Sequence, residues 1–319
     1  MDLDRKTWMV RGIKSLIAVA VVGGIAHFSH RAVGDLDRHG FSLGQVNGWW
    51  LGLSSVTYLL GMLPAGMFWH RVLHAVGQHP GWYETLRAYY LGHLGKYVPG
   101  KAMVVVLRAG LVRSQRVDTT TAAVTVFTET LTQMAVGAAL AAAIIAVRFS
   151  QHWQLMLLAC LLMICAGLPT VPVIFRKLVV WLKIARISPE IDEQLRGIRP
   201  SVMLHGWCAN LVGWAILGFS LWAAIRALPG TATQVPWNVE NHMLLTAAVA
   251  LAIVSGFLSL IPGGLGVREL VLTGLLAYEL QLGDLLSVVA TIAIRLSWLV
   301  AELVAAGLLW WKAPAAQEL

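Results

Sequence analysis

Long apolar runs separated by short polar stretches dominate this sequence and predict a bundle of membrane-spanning helices. The runs lie at about 13–28, 44–68, 119–147, 153–175, 201–225, 242–260 and 285–311, with a weaker one at about 267–282. Roughly 20 helical residues are needed to cross a hydrocarbon core of roughly 30 Å, and most of the runs reach that length. We therefore predict an all-α polytopic membrane protein.

Composition supports this picture and argues against a soluble domain. Of the 319 residues, 58% are hydrophobic and 13% are charged, whereas soluble proteins carry roughly 25% charged residues. We expect residues 1–319 to form a single integral membrane domain. The first apolar run follows Asp2 and Asp4 and lacks a small-residue cleavage site, so we expect a retained anchor rather than a cleaved signal peptide.

The distribution of basic residues predicts the orientation of the bundle. Eighteen Lys and Arg residues fall on one side of the predicted spans, mainly in the first residues and in 69–117 and 176–200, against four on the other side. Cytoplasmic loops carry the excess of basic residues, so both termini are predicted to be cytoplasmic. Six to eight transmembrane helices are expected, with one or two re-entrant segments. Eight crossings result if 242–260 and 267–282 both span, and six if they form a hairpin, which an inverted repeat would favour.

The first unusual segment is an apolar stretch between Tyr89 and Arg108 that cannot continue as one helix. Four residues are expected to interrupt it: Gly92, Gly95, Pro99 and Gly100. Its flanks, Arg87 and Arg113, both belong on the cytoplasmic side, so a re-entrant hairpin is predicted. Irregular backbone at membrane depth is tolerated where it is shielded by protein or lines a wet cavity. Lys96 and Lys101 are therefore predicted to face a cavity.

The second unusual segment runs from Phe257 to Glu269. Pro262 removes a backbone donor and is expected to end a helix. The glycines that follow, Gly263, Gly264 and Gly266, expose backbone N–H groups. A new helix is predicted to begin near Val267. A helix N-terminus attracts anions, and the Arg268 guanidinium suits phosphate. Ordinary kinks are the alternative, but two broken segments with basic residues at membrane depth favour a transport site.

Ionisable residues inside the spans are the remaining candidates. Glu129 lies near the middle of its span, where a carboxyl group is costly unless it is paired or faces water. A functional role is favoured there over a purely structural one. Arg295 is predicted to pair with Glu129 or Glu269, or to bind a lipid phosphate. Glu302 is nearer to the end of its span, and a solvated role is expected for it at least as readily. The one-turn spacing of His70 and His74 is better explained by a solvated helix face, so no metal or other cofactor is expected.

These residues resemble the signatures of a known family. Gly95-Lys96-Tyr97-Val98-Pro99-Gly100-Lys101 resembles the GKYxPGK motif of lysylphosphatidylglycerol synthase transmembrane-region proteins, and the segment from Pro262 to Glu269 resembles their PGGLGxxE motif. The resemblance extends over roughly residues 10–312. It implies a flippase-like domain, related to the part of multiple peptide resistance factor proteins that moves aminoacylated phosphatidylglycerol between leaflets. Those proteins add a soluble transferase domain, and because this sequence stops at Leu319 we expect no lipid lysinylation.

The predicted function is a lipid flippase or scramblase-like transporter in a bacterial inner membrane, and not an enzyme. Its partner would be a phospholipid or lipid-linked substrate, with a partner enzyme of a lipid pathway and no nucleic acid. The alternatives are a membrane-embedded transferase that uses Glu129 as a base, and a non-transporting accessory subunit. The candidate lipid-binding residues are Lys96, Tyr97, Pro99, Gly100, Lys101, Arg108, Glu129, Pro262, Gly263, Gly264, Gly266, Arg268, Glu269 and Arg295.

Overall fold

The computed structural model describes residues 46–98, 102–148, 167–181, 190–259 and 261–311, together with Gly44 and five positions between 153 and 164. All regular secondary structure in these residues is helical. The α-helices are α1 Gly48–Ala75, α2 Trp82–His93, α3 Ala102–Val112, α4 Thr119–Arg148, α5 Pro172–Trp181, α6 Glu190–Leu195, α7 Pro200–Arg226, α8 Thr231–Gln234, α9 Val239–Leu258, α10 Val267–Tyr278 and α11 Asp284–Trp311.

Five of these helices, α1, α4, α7, α9 and α11, are long and apolar enough to cross a membrane. Their bounds agree within a few residues with the apolar runs, except that α1 continues to Ala75, beyond the predicted end at 68. The prediction of an all-α polytopic membrane protein is confirmed. The predicted first span lies outside the described residues, and the one at 153–175 lies partly outside them.

Both broken segments form hairpins, the first between two short helices and the second between the 20-residue α9 and the short α10. The first joins α2 to α3 through a 3₁₀ turn, Leu94–Tyr97, and the second joins α9 to α10 through a 3₁₀ turn, Pro262–Gly264. Helices α2 and α10 have 12 residues each, about 18 Å at about 1.5 Å per residue, which is less than the roughly 30 Å of a hydrocarbon core. The number of crossings and the entry of either hairpin from one membrane face stay predictions.

The tips of the two hairpins touch each other. A Cβ atom added at Gly263 would lie 3.8 Å from the ring of Tyr97 and 3.9 Å from the carbonyl oxygen of Lys96. Gly263, Gly264 and Gly266 have φ angles of 61°, 67° and 83°, a region that residues with side chains rarely adopt. The glycines of the second segment are therefore required by the turn itself.

Close helix contacts at small residues hold the centre of the bundle together. Helices α1 and α7 cross at Gly61 and Gly213, where a Cβ atom on Gly213 would lie 2.8 Å from the carbonyl oxygen of Gly61. Small residues let helix backbones approach closely, which is the usual basis of helix association in lipid. Helix α9 packs against α7, α4 and α10, and α11 packs against α1 and α10, so the two hairpins lie against one shared core.

The arms of the first hairpin approach each other through Gly92 and Gly95. A Cβ atom on Gly95 would lie 2.8 Å from the backbone nitrogen of Val104, and one on Gly92 would lie 3.0 Å from the backbone nitrogen of Arg108. The predicted interruption of the segment is present and begins just after Gly92, since α2 continues through it to His93. The lack of a side chain at Gly92 makes room for Arg108.

We expect Gly95→Ala to destabilise the protein by about 1–3 kcal/mol, because the added methyl group overlaps backbone atoms that cannot rotate away. Gly110→Ala, in α3 of the same hairpin, is the matched control, since a Cβ atom there meets no atom within 4 Å. Thermal unfolding of the two detergent-purified variants measures the difference. Equal melting temperatures would contradict the close approach of the hairpin arms.

A second prediction concerns the start of α4. The Asp118 carboxylate accepts hydrogen bonds from the backbone nitrogen (2.7 Å) and hydroxyl (2.9 Å) of Thr121. These hydrogen bonds, the backbone one foremost, lower the pKa of Asp118 below its ordinary value. Its contribution is therefore complete above an unfolded-state pKa of about 3.9 and is lost as the pH falls through the lower folded-state pKa.

We expect Asp118→Ala to cost about 1 kcal/mol of unfolding free energy at neutral pH. Asp118→Asn keeps an acceptor oxygen but does not titrate, so it should lose less stability and remove the acid dependence near pH 4 and below. Unfolding midpoints measured between pH 3 and pH 7 test this prediction. An unchanged acid dependence in the Asn variant would contradict it.

Candidate functional site

A cavity of about 350 Å³ lies between the two hairpins and is also bordered by α1, α4, α7 and α11. Its walls are mostly apolar, with side chains such as Met62, Val105, Phe127, Leu131, Met134, Ile253, Phe257 and Trp298. Phe127 on α4 and Ile261 at the second break are 46% and 40% exposed, so the cavity reaches the outer side of the bundle between them. A helix bundle open at its side gives access from the membrane interior.

The charged groups in the cavity wall are all basic among the described residues. They are Lys96, Arg108 and Arg268, and His93 lies beside them. No aspartate or glutamate belongs to the described part of the wall. The nearby carboxylates stand behind the basic groups, each bound to one cation, as the following contacts describe.

The first ion pair joins the first break to α11. The Lys96 ammonium contacts Oε1 of Glu302, and the Tyr58 hydroxyl donates to the same oxygen. The Tyr97 hydroxyl donates to Oε2 of Glu302 at 3.0 Å. Glu302 is 4% exposed, so the expectation of a solvated role for this residue is wrong. A span of 28 residues places it well inside the helix.

The second ion pair joins α3 to α4. Nη1 of Arg108 donates to Oε2 of Glu129 at 2.6 Å, and the Thr130 hydroxyl donates to the same oxygen at 3.2 Å. The Tyr89 hydroxyl contacts Oε1 at 3.4 Å, and the Arg108 guanidinium lies 4.0 Å from the centre of the Tyr89 ring. Glu129 is fully buried and is paired with Arg108 rather than with Arg295.

His93 connects these two ion pairs. Its Nε2 lies 3.0 Å from the Lys96 ammonium, and its Nδ1 lies 3.5 Å from Nη2 of Arg108. An ammonium group only donates, so Nε2 accepts and Nδ1 carries the ring hydrogen. The 3.5 Å approach of Nδ1 to the Arg108 guanidinium is then a contact between two donors and not a hydrogen bond. A continuous chain of polar contacts therefore runs from Glu129 through Arg108, His93 and Lys96 to Glu302.

The third ion pair holds the second break in place. Nε of Arg295 lies 2.9 Å from Oε1 of Glu269, a close ion pair without the direction of a hydrogen bond, and Nη2 of Arg295 donates to the carbonyl oxygen of Gly263 at 3.2 Å. Oε2 of Glu269 accepts from the backbone nitrogen of Gly266 at 2.7 Å. The predicted pairing of Arg295 with Glu269 is confirmed. The N-terminus of α10 thus already carries a carboxylate of its own chain.

Arg268 differs from the other basic groups. Its Nε is buried and has no hydrogen-bond partner among the described residues. Its side chain lies in a slot between two glycines, because a Cβ atom on Gly256 would lie 2.5 Å from Cγ of Arg268 and one on Gly264 would lie 2.7 Å from Nε. The glycine slot positions a guanidinium in the cavity wall, and no carboxylate of the described residues forms an ion pair with it.

The structure brings most of the sequence-predicted residues together. The cavity wall contains Lys96, Arg108, Gly263, Gly264 and Arg268. Behind the wall, Tyr97 binds Glu302, Glu129 binds Arg108, and Glu269 pairs with Arg295. Pro262 and Gly266 belong to the second break, while Pro99, Gly100 and Lys101 lie outside the described residues.

Sequence reasoning missed Tyr58, His93, Glu302 and Gly256 as parts of the site. The spacing of Glu302 and Arg295, two helical turns apart on one face of α11, was the available signal for Glu302. Tyr58 and Gly256 carried none, because a tyrosine or glycine in an apolar helix is common. His70 and His74 bind Thr85 and a backbone carbonyl oxygen, and the described residues contain no group of three potential metal ligands.

A family model described as "Lysylphosphatidylglycerol synthase TM region" matches residues 14–311, nearly the whole chain. Both broken segments and every residue of the three ion pairs fall inside the matched range. No curated protein and no solved structure matches the chain.

We expect Glu302→Gln to destabilise the protein by about 3–5 kcal/mol, because it leaves the Lys96 ammonium buried without a counter-charge. Lys96→Met combined with Glu302→Gln should cost less than the sum of the two single changes. Thermal unfolding of the wild type, the two single variants and the double variant gives the coupling energy between Lys96 and Glu302. Glu240→Gln, at an exposed position in the first turn of α9, is the control and should be near neutral. Additive losses would contradict a direct Lys96–Glu302 interaction.

Proposed function

The chain belongs to the lysylphosphatidylglycerol synthase transmembrane-region family, and we propose that it moves a phospholipid or lipid-linked intermediate between the leaflets of a membrane. The family and the apolar helices make it a multi-pass membrane protein linked to lipid handling. Transport between leaflets, in a bacterial inner membrane with both termini in the cytoplasm, is the finer statement that we propose.

The single observation that carries this proposal is the cavity with basic groups inside and an apolar side opening. Lys96, Arg108 and Arg268 offer donors to a phosphate, and the exposed apolar side chains Phe127 and Ile261 lie at the opening. A volume of about 350 Å³ is at the lower end of the roughly 300–1,000 Å³ typical of ligand pockets. It suits a polar head group, while the acyl chains stay in the bilayer.

We interpret the two hairpins as re-entrant segments that meet inside the membrane. Three of their arms, α2, α3 and α10, are too short to span, whereas α9 has the length of a span. The tips of the two hairpins touch at Tyr97 and Gly263. The charge distribution favours a cytoplasmic position for the first hairpin, and we propose that the second enters from outside, as in an inverted repeat. A head group bound at the tips would then lie between the two membrane faces, where alternating access is possible.

The alternative of a membrane-embedded transferase has less support. It requires Glu129 to act as a base, but this carboxylate is fully buried, holds Arg108 and does not line the cavity. A general base must reach the proton that it removes. The accessory-subunit alternative requires no charged cavity at all. Transport explains both the position of the basic groups and the side opening.

Movement of fluorescent phosphatidylglycerol in reconstituted vesicles tests the proposal. We expect the wild-type protein to accelerate exchange between leaflets and Arg268→Gln to slow it by about tenfold or more, the loss of at least about 1.4 kcal/mol of interaction with the phosphate. Arg148→Gln, at an exposed helix end, removes one positive charge elsewhere and should leave the rate unchanged.

The same vesicles distinguish the other functions. Chemical conversion of the added lipid would favour the transferase. Lipid movement no faster than in protein-free vesicles, with the protein correctly folded by gel filtration, would overturn the transport proposal.

A further inference from the structure

We propose that the cavity selects lipids whose head group carries a phosphate and no ammonium group, and that Arg268 is the residue that sets this preference. The inference rests on the proposed function, since it names the class of lipid that the same cavity would take. It is based on the balance of charges around the cavity and on their positions, with basic groups in the cavity wall and carboxylates behind them.

The charges around the cavity do not cancel among the described residues. Three pairs are complete, namely Lys96 with Glu302, Arg108 with Glu129 and Arg295 with Glu269. Arg268 is the fourth cation, and in the part of the chain that the structure describes it has no carboxylate of its own and its Nε has no hydrogen-bond partner. An unpaired charge away from water is costly, so the site gains stability when an anion enters. One phosphodiester supplies the single negative charge that completes the balance.

The three carboxylates cannot receive an ammonium group without losing partners that they already have. Glu302 binds Lys96, Tyr58 and Tyr97, and Glu129 binds Arg108, Tyr89 and Thr130. Glu269 is held by Arg295 and the backbone of Gly266. None of the three belongs to the cavity wall.

A cationic head group would therefore meet basic groups first. Lys96, Arg108 and Arg268 stand in the wall, between the cavity and the carboxylates. An ammonium group that enters loses its hydration and finds no free acceptor of opposite charge among the described residues of the wall, which makes its binding unfavourable. A lipid that carries both a phosphate and an ammonium group gains at Arg268 and loses at the second group, so it should be handled less well than a purely anionic lipid.

The glycine slot gives Arg268 a defined direction. Gly256 and Gly264 enclose its side chain from two sides, and no larger residue fits at either position without moving it. A guanidinium fixed in this way offers parallel donors that match two oxygens of one phosphate, a geometry that a lysine ammonium does not provide. Preorganisation reduces the entropy cost of binding, which favours the phosphate further.

Vesicles that contain one of three fluorescent lipids with identical acyl chains test the inference. The lipids are phosphatidylglycerol, phosphatidylcholine and phosphatidylglycerol esterified with an amino acid that has a free ammonium group. For the wild-type protein we expect phosphatidylglycerol to move about tenfold faster than the aminoacyl ester, with phosphatidylcholine between them. In Arg268→Gln the ratio should fall to near one, and in Arg268→Glu the preference should reverse.

Arg268→Lys keeps the charge and loses the fork, so it should be slower than wild type yet keep the preference for phosphatidylglycerol. Arg148→Glu, a charge reversal at an exposed position, should leave the preference unchanged. Retention of each lipid by detergent-purified protein, measured by native mass spectrometry, gives a second readout that does not depend on transport.

The outcomes separate the two proposals. If the aminoacyl ester moves and binds as well as phosphatidylglycerol or better, the selectivity is overturned while lipid movement stands. If Arg268→Lys loses the preference as fully as Arg268→Gln does, the charge at this position is not its origin. If no lipid moves faster than in protein-free vesicles, the transport proposal fails, and the binding ratio alone then decides the selectivity.

Discussion

The position of the first hairpin depends on two carboxylates, Glu129 and Glu302, because a charge that is buried away from water is costly unless a counter-charge binds it. Glu129 is fully buried and Glu302 nearly so, and each lies in a helix that is long and apolar enough to span a bilayer. Such carboxylates persist because a cation from the first hairpin binds each of them. The two ion pairs fix the first hairpin against both α4 and α11. Its irregular backbone is therefore positioned by ion pairs as well as by apolar packing.

Glycine performs two separate tasks in the broken segments. In the second break, positive φ angles at Gly263, Gly264 and Gly266 allow a turn that residues with side chains would strain. Gly92, Gly95 and Gly256 instead provide space, for α3 in the first two cases and for Arg268 in the third. The residue type is the same in both tasks, so the sequence alone does not show that Gly92 makes room for Arg108 while the turn begins two residues later.

Spans, breaks and several charged candidates could be predicted because they follow from local rules. Apolar length gave α1, α4, α7, α9 and α11, and glycine with proline gave the two breaks. The partners of the charges could not be assigned in the same way, because they come from helices far apart in the chain. Glu302 and Lys96 are separated by 206 positions, and Tyr58 contacts Glu302 across 244. The slot around Arg268 likewise depends on the packing of α9 against α10.

Helix α11 fixes the spacing between the two breaks. Its Glu302 binds Tyr97 and Lys96 of the first break, and its Arg295 binds the Gly263 carbonyl of the second. These two anchors are two helical turns apart, about 10.5 Å along the axis at about 1.5 Å per residue. One residue inserted between them would turn one anchor by about 100° and point it away from its hairpin. The number of residues between Arg295 and Glu302 in α11 therefore sets the distance between the two hairpin tips, and it matters more than the composition of the helix.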